Sequence, residues 1–123
     1  MIGYVTLGTN DLARAAKFYD AIAKELGIGR FMEDDRMIAW GARGRGAGLG
    51  LIKPHDGKAA SIGNGVMAAI AAKDKAQVDR IYKLAIDMGA KDEGPPGARG
   101  DGGFYAAYFR DPDGNKVNAF VMG

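Results

Sequence analysis

The two halves of the chain repeat one pattern, and this repeat limits the folds that the chain can adopt. A shift from position 4 to position 67 superimposes residues of the same kind: Asp11 on Asp74 and Tyr19 on Tyr82. In each half a strand leads into a helix, and up to three strands then follow without another helix. A doubly wound parallel sheet is excluded, because it needs a crossover helix between most of its strands. The repeat therefore predicts an α+β fold.

The predicted domain spans residues 1–123, with module one over about 1–56 and module two over about 64–123. Helices are predicted over 12–26, ending at Gly27, and from 73–74 to a cap at Gly89. Strands are predicted over 2–7, 28–31, 37–40, 49–52, 66–72, 104–109 and 117–121. Residues 91–99 are predicted to form a loop with a short edge strand, and 41–48 a turn with solvated Arg43 and Arg45. Each module then offers a curved sheet with a helix on its outer face, and the inner faces enclose a cleft.

The last two strands form a hairpin around the turn at 110–116. In that turn Asp111 precedes Pro112, which disfavours helix, and Gly114 with Asn115 tolerates positive φ. The flanking segments are rich in aromatic and β-branched residues, as expected of paired strands.

Composition and charge exclude several classes of protein. The net charge of +2 comes from basic residues spread along the chain, whereas nucleic-acid binding favours a clustered basic stripe. The absence of cysteine excludes disulfides, thiolate metal sites and cysteine nucleophiles. No apolar run approaches the roughly 20 residues that span a bilayer, and no signal peptide is visible. We expect a cytoplasmic protein with neither membrane nor nucleic acid as a partner.

Three stretches of the sequence resemble one superfamily. They are 4–14, with Phe18 and Tyr19 in the following helix, 63–68, and 104–117 with its Asp-Pro-Asp-Gly turn. Together they resemble the glyoxalase/bleomycin resistance protein/dioxygenase proteins, the vicinal oxygen chelate superfamily. The resemblance implies paired βαβββ modules forming a curved mixed sheet around a cleft, usually a homodimer, and often a divalent metal. The scaffold hosts lyases, isomerases, dioxygenases and binding proteins, so it does not fix a reaction.

The metal-ligand positions implied by the resemblance carry other residues here. Where metal-binding members have two histidines and a glutamate, this chain has Tyr4, Met67 and Asn118, and the fourth strand offers only 49–51, Leu-Gly-Leu. A phenol, a thioether and an amide are poor ligands for divalent ions at neutral pH. We therefore predict that the protein uses neither a metal nor another cofactor.

The same positions predict a binding surface in the cleft. By strand alternation, Thr6 accompanies Tyr4, Ala69 accompanies Met67, and Phe120 accompanies Asn118. The candidate ligand-binding residues are Tyr4, Thr6, Trp40, Met67, Tyr105, Asn118 and Phe120. For these residues, packing in a collapsed cleft, in the core or at a dimer interface is the alternative. Catalytic residues are not assigned, since His55 is the single histidine and is predicted to lie solvated in a loop.

Three functions remain open from the sequence. The first is metal-independent binding of a small molecule by a homodimer of the bleomycin-resistance kind. The second is an enzyme, either a lyase or isomerase similar to lactoylglutathione lyase or a dioxygenase-type enzyme. The third is a structural or regulatory homodimer whose cleft is filled by side chains.

Overall fold

The structure of the protein is a computed structural model that describes residues 1–42 and 44–123, with the backbone alone at Arg45. The elements within these residues are β1 Tyr4–Gly8, α1 Leu12–Leu26, β2 Gly29–Glu33, β3 Met37–Ala42, β4 Arg45–Ile52, β5 Ala68–Ala71, α2 Lys75–Asp87, β6 Lys91–Ala98, β7 Phe104–Arg110 and β8 Lys116–Met122. They fall into two compact units, Met1–Ile62 and Gly63–Gly123. The predicted positions of Arg43 and of the Arg45 side chain lie outside the described residues.

The first unit is a mixed sheet in the order β1-β4-β3-β2 with α1 against it. β1 runs parallel to β4, and the other neighbours are antiparallel. Helix α1 begins at Asp11, whose side chain accepts a hydrogen bond from the backbone N–H of Arg14, and Gly27 ends it with a φ of 73°. Phe18 of α1 and Leu51 of β4 are buried in the core of this unit.

The second unit repeats this arrangement with the order β5-β8-β7-β6 and α2. β5 runs parallel to β8, and the pairs β7–β8 and β6–β7 are antiparallel. Asp74 caps α2 by accepting a hydrogen bond from the backbone N–H of Gln77. Val78 and Ile81 of α2 are fully buried, as are Phe109 and Val117 of the hairpin strands. The α+β class predicted from the sequence is confirmed by these two mixed sheets and their helices.

The turn between β7 and β8 is organised by a buried aspartate. Oδ1 of Asp111 accepts hydrogen bonds from the backbone N–H groups of Asp113 and Asn115, at 3.0 and 2.9 Å. Its other oxygen accepts from the Asn115 side chain at 3.0 Å. The Asp-Pro-Asp-Gly turn therefore folds around the carboxylate of its first residue.

Several strands differ in their bounds from the sequence prediction, and three of them matter for the site and the sheet edge. β4 begins four residues before the predicted 49, and β5 starts only at Ala68 instead of position 66. β6 is an eight-residue strand where a loop with a short edge strand was predicted. It tolerates Pro95 and Pro96 because it lies at the sheet edge and its pairing with β7 is irregular between Gly94 and Gly97.

Candidate functional site

The face of the first sheet that packs against α1 holds Trp40. The Trp40 ring lies 5.6 Å from that of Tyr19 in α1, and its Nε1 donates to Oδ1 of Asp20 at 2.8 Å. Asp20 also accepts from Nε and Nη2 of Arg30, at 3.0 and 2.7 Å. The Arg30 hydrogen bond, with help from Trp40, holds the pKa of Asp20 below its usual value despite partial desolvation. Trp40 is thus a buried residue that joins the sheet to its helix.

Tyr105 lies on the helix side of the second sheet. Its hydroxyl donates to Oδ1 of Asp79 in α2 at 2.7 Å, and Nζ of Lys75 lies 5.5 Å from the ring centroid. The hydrogen bond to Asp79, followed by desolvation, raises the pKa of Tyr105. Trp40 and Tyr105 therefore face the helices, and neither shares a sheet face with the other predicted site residues of its unit.

The opposite, open face of the first sheet carries Tyr4 and Thr6. Both side chains are exposed, and Tyr4 is 58% accessible. Thr6 lies beside Gly50, where an added Cβ would be 3.4 Å from the Thr6 Cγ2. The Phe31 ring covers Gly48, so that a Cβ there would come within 2.6 Å of the ring. This part of the open face, which we call the glycine floor, is the backbone of Gly48 and Gly50. It is bordered by the Tyr4 phenol, the Thr6 hydroxyl and the Phe31 ring.

The open face of the second sheet carries Asn118 and Phe120. Alternation along β8 places these two opposite to the buried Val117 and Ala119, which lie on the helix side. Phe120 stacks on Phe104 with ring centroids 5.7 Å apart. The structure thus brings Asn118 and Phe120 together on one face, as the alternation predicted.

Asn118 is the unusual residue of this face. Only 2% of Asn118 is accessible, and no hydrogen-bond partner for its Oδ1 is found among the described residues. A buried amide oxygen without a partner costs roughly 1–3 kcal/mol, so native proteins seldom keep one without a use for it. This atom is a buried acceptor whose hydrogen-bonding capacity is unused among the described residues.

Three further polar residues, Tyr108, Arg99 and Lys116, lie near Asn118. Tyr108 lies directly opposite Asn118 in the β7–β8 pairing. The Arg99 guanidinium carbon lies 5.4 Å and the Lys116 Nζ 5.6 Å from the Tyr108 ring centroid. Tyr108 and Lys116 share the face of Asn118, so alternation along the hairpin would have identified Lys116, which the sequence prediction missed. Arg99 follows β6 and carries no such signal.

Met67 lies one residue before β5 and is 41% accessible. Its expected companion Ala69 pairs with Asn118, so β5 presents a small exposed side chain beside the buried amide. The sequence prediction placed Met67 within the strand, and the shorter β5 leaves it in the preceding segment.

The donor set does not fit the divalent metal that the resemblance implies. Tyr4, Met67 and Asn118 supply no imidazole or carboxylate, and in β4 Gly50 stands on the open face between two leucines. Among the described residues, no three His, Cys, Asp or Glu side chains come together as metal ligands.

A separate groove of about 440 Å³ lies in the first unit between α1 and the β2–β3 hairpin. It is lined by Leu12, Ala13, Ala16, Lys17, Arg30, Asp34, Asp35 and Ile38. None of the predicted site residues borders it. His55, the single histidine, is exposed with its Nδ1 2.8 Å from Nη1 of Arg36. Within the described residues, no helix is long and apolar enough to cross a membrane.

Comparison with known proteins gives one consistent result. The family model of the Glyoxalase/Bleomycin resistance protein/Dioxygenase superfamily matches residues 1–119. A glyoxalase/bleomycin resistance protein from Albidiferax ferrireducens T118 has a similar structure, with a TM-score of 0.90 and 35% identity over 100% of this chain and 99% of that one. No curated protein sequence matches the chain.

Two more distant structures share the fold. A glyoxalase/bleomycin resistance protein/dioxygenase family enzyme from Burkholderia phytofirmans PsJN has a TM-score of 0.77 at 17% identity, over 98% of both chains. A lactoylglutathione lyase from Agrobacterium tumefaciens has a TM-score of 0.72 at 24% identity, over 98% of this chain and 92% of that one. At these identities the likeness concerns the fold alone.

Proposed function

Because the chain belongs to the glyoxalase/bleomycin resistance protein/dioxygenase superfamily, we propose that it binds a small molecule without a metal ion. The binding surface is the open face of the second sheet around Asn118 and Phe120, with Met67 as a further candidate in that unit. Tyr4 and Thr6 remain candidates on the open face of the first sheet. We also propose that the protein is a homodimer and acts in the cytoplasm.

The observation that carries the proposal is the unpaired Oδ1 of Asn118. In a residue of which only 2% is accessible, this oxygen cannot be satisfied by bulk solvent. A ligand that donates an N–H or O–H to it would recover the energy that the free protein forgoes. The stacked Phe104 and Phe120 rings on the same face provide an apolar surface for the rest of such a ligand.

The chemistry of the side chains supports binding without metal. Amide, phenol and thioether groups recognise organic ligands through hydrogen bonds and adaptable apolar contact. Tyr105 in β7 does not serve as a base for proton abstraction. Its hydroxyl donates a hydrogen bond to Asp79 on the helix side, and its pKa is raised.

The first experiment measures metal content of the purified, untagged protein by mass spectrometry, before and after EDTA. EDTA-treated protein is then screened against a library of small organic molecules by thermal shift, and hits are quantified by equilibrium dialysis. We expect at least one saturable ligand whose Kd is the same with and without EDTA. Stoichiometric metal whose removal abolishes binding, or turnover of the bound compound, would contradict the proposal.

The Asn118→Leu variant tests whether Asn118 contacts the ligand or only packs in the core. Replacing an unpaired buried amide by an apolar side chain of similar size should leave the free energy of unfolding unchanged or raise it. Ligand affinity should fall at least tenfold. Asn64→Leu changes an exposed asparagine of the same unit and serves as the matched control. Unchanged affinity in a folded Asn118→Leu variant would remove Asn118 from the site.

A further inference from the structure

We propose that the ligand of the Asn118 site is a small organic carboxylate that also carries a hydroxyl or amide N–H donor. Lys116 and Arg99 would hold the carboxylate, and Oδ1 of Asn118 would accept from the donor. This inference rests on the proposed function and specifies its ligand by charge and by hydrogen-bonding group.

The two cations at the site have no carboxylate partner among the described residues. Lys116 is half-buried, and its one described side-chain interaction is with the Tyr108 ring. Arg99 donates from Nη1 to the carbonyl of Gly97 and from Nη2 to that of Pro95, both at 2.8 Å. Neutral carbonyls leave its positive charge uncompensated.

Two other cations of the structure form ion pairs with carboxylates. Arg110, which pairs with Lys116 across the hairpin, binds Glu93 at 2.6 Å, so the nearby carboxylate on β6 is already engaged. Lys83 binds Asp87 at 2.8 Å on α2. Lys116 and Arg99 have no such pair among the described residues, and both lie near the Tyr108 ring that faces Asn118.

The Arg99 guanidinium is held against the sheet before any ligand arrives. A Cβ on Gly94 would lie 3.1 Å from one Nη atom of Arg99, and a Cβ on Gly97 would lie 3.2 Å from the other. The guanidinium therefore occupies space that is open because both residues are glycines. Its carbonyl partners and the Tyr108 ring fix its position. Such preorganisation reduces the entropy lost on binding.

The spacing of the polar groups sets the size of the ligand. Lys116 and Asn118 are two positions apart on one face of β8, so their Cα atoms are separated by roughly 6–7 Å. Both cations lie within 6 Å of the Tyr108 ring centroid, and Tyr108 faces Asn118 across the hairpin. A single aromatic ring with a carboxylate and a hydroxyl on different carbons matches this arrangement of charge, ring and acceptor.

Three probes test the inference by isothermal titration calorimetry with the full chain. 3-Hydroxybenzoate carries both groups, 3-methoxybenzoate lacks the donor, and 3-hydroxybenzyl alcohol lacks the charge. We expect 3-hydroxybenzoate to bind at least tenfold more tightly than either of the others. Its affinity should fall as NaCl rises from 20 to 500 mM, because salt screens charge pairs.

Variants assign the effect to residues. Lys116→Met and Arg99→Met should each weaken 3-hydroxybenzoate binding about tenfold, whereas Lys116→Arg should retain most of the affinity. Lys58→Met removes an exposed lysine of the other unit and is the matched control. Circular dichroism confirms that each variant is folded.

The outcomes distinguish this inference from the proposed function. Equal binding of the three probes, or loss of affinity in Lys58→Met as large as in Lys116→Met, would overturn the carboxylate inference. A neutral library ligand that depends on Asn118 but not on Lys116 would also overturn it and leave metal-independent binding intact. A protein that binds no ligand at all contradicts both.

Discussion

The hydroxyl of Tyr105 donates a hydrogen bond to Asp79 and so connects β7 to α2 across the packed face of the second sheet. Tyr82 of α2 makes a similar hydrogen bond to Asp92 of β6 at 2.9 Å. Two tyrosine–aspartate pairs therefore join the helix to the sheet. The pKa of each tyrosine is raised, that of Tyr82 by desolvation and then by its hydrogen bond to Asp92, and that of Tyr105 by its hydrogen bond to Asp79 and then by desolvation.

These pairs make the protein sensitive to alkaline pH. A tyrosine whose pKa is higher in the folded than in the unfolded state stabilises the fold below about pH 10, and this stabilisation is lost as pH rises through the folded pKa. We expect Tyr82→Phe with Tyr105→Phe to weaken the decline in the free energy of unfolding between about pH 9 and 11. Urea titrations across that range measure it. The control is Tyr4→Phe, which changes an exposed tyrosine. An identical decline in the free energy of unfolding of the unmodified protein, the double variant and the Tyr4→Phe variant would refute the prediction.

The acidic side of the stability profile should depend on Asp20. Its pKa is lowered in the folded state, so its stabilisation is present above the ordinary value near 3.9 and is lost as pH falls through the folded value. Asp20→Asn should lower the free energy of unfolding at pH 7 by about 1 kcal/mol, allowing for the partial exposure of the pair, and less at pH 3.

The matched control for Asp20 is Asp87→Asn. Asp87 pairs with Lys83 on the surface of α2, where both side chains are more than half exposed. Such pairs contribute only about 0.3–0.5 kcal/mol. Equal losses in the two variants would mean that the network of Asp20, Arg30 and Trp40 is no stronger than a surface pair.

The turn between β7 and β8 should tolerate little change at Asp111. Asp111→Ala removes the acceptor for two backbone N–H groups and for the Asn115 amide in a buried setting. We expect a loss of about 2–3 kcal/mol, measured by urea unfolding. Asp113→Ala, in the same turn but half-exposed, should cost less. The reverse order would show that the carboxylate of Asp111 does not organise the turn.

The contact between Gly48 and the Phe31 ring in the glycine floor predicts two substitutions whose effects on stability compensate each other. Gly48→Ala would force its Cβ against the Phe31 ring and near the carbonyl oxygen of Trp40, at a cost of about 1–3 kcal/mol. With Phe31→Ala present, the same change should cost much less, and a double-mutant cycle by thermal unfolding measures the coupling. Gly3→Ala, which meets nothing within 4 Å, is the control. A coupling energy of zero would place the Phe31 ring elsewhere.

Local signals in the sequence predicted the helices and the terminal hairpin well. The first helix spans the predicted 12–26 and ends at the predicted cap Gly27, and Asp74 lies in the pair 73–74 predicted to open the second helix, because capping depends on residues adjacent in the chain. The C-cap of α2 is Met88, one residue before the predicted Gly89. β6 was underestimated, because its prolines argue against a strand in general and are tolerated only at an edge. Whether a given strand lies at an edge depends on distant parts of the chain.

The composition of the candidate site was only partly accessible from the sequence. Alternation relates Asn118 to Phe120, and it would also have related Asn118 to Lys116. It does not say which face the helix covers, so Trp40 and Tyr105 were included although both contact helices. The position of Arg99 depends on carbonyls and glycines of an irregular strand, and no periodic pattern encodes it.

The prolines of β6 have a consequence for the behaviour of the protein at high concentration. β6 is an outer strand of its sheet, and unpaired outer strands are templates for the intermolecular growth that leads to fibrils. Two consecutive residues without an N–H, next to an irregular stretch of pairing, break the row of donors that an incoming chain would need. The same eight residues that obscured the strand in the sequence therefore protect the folded protein from polymerising along that edge.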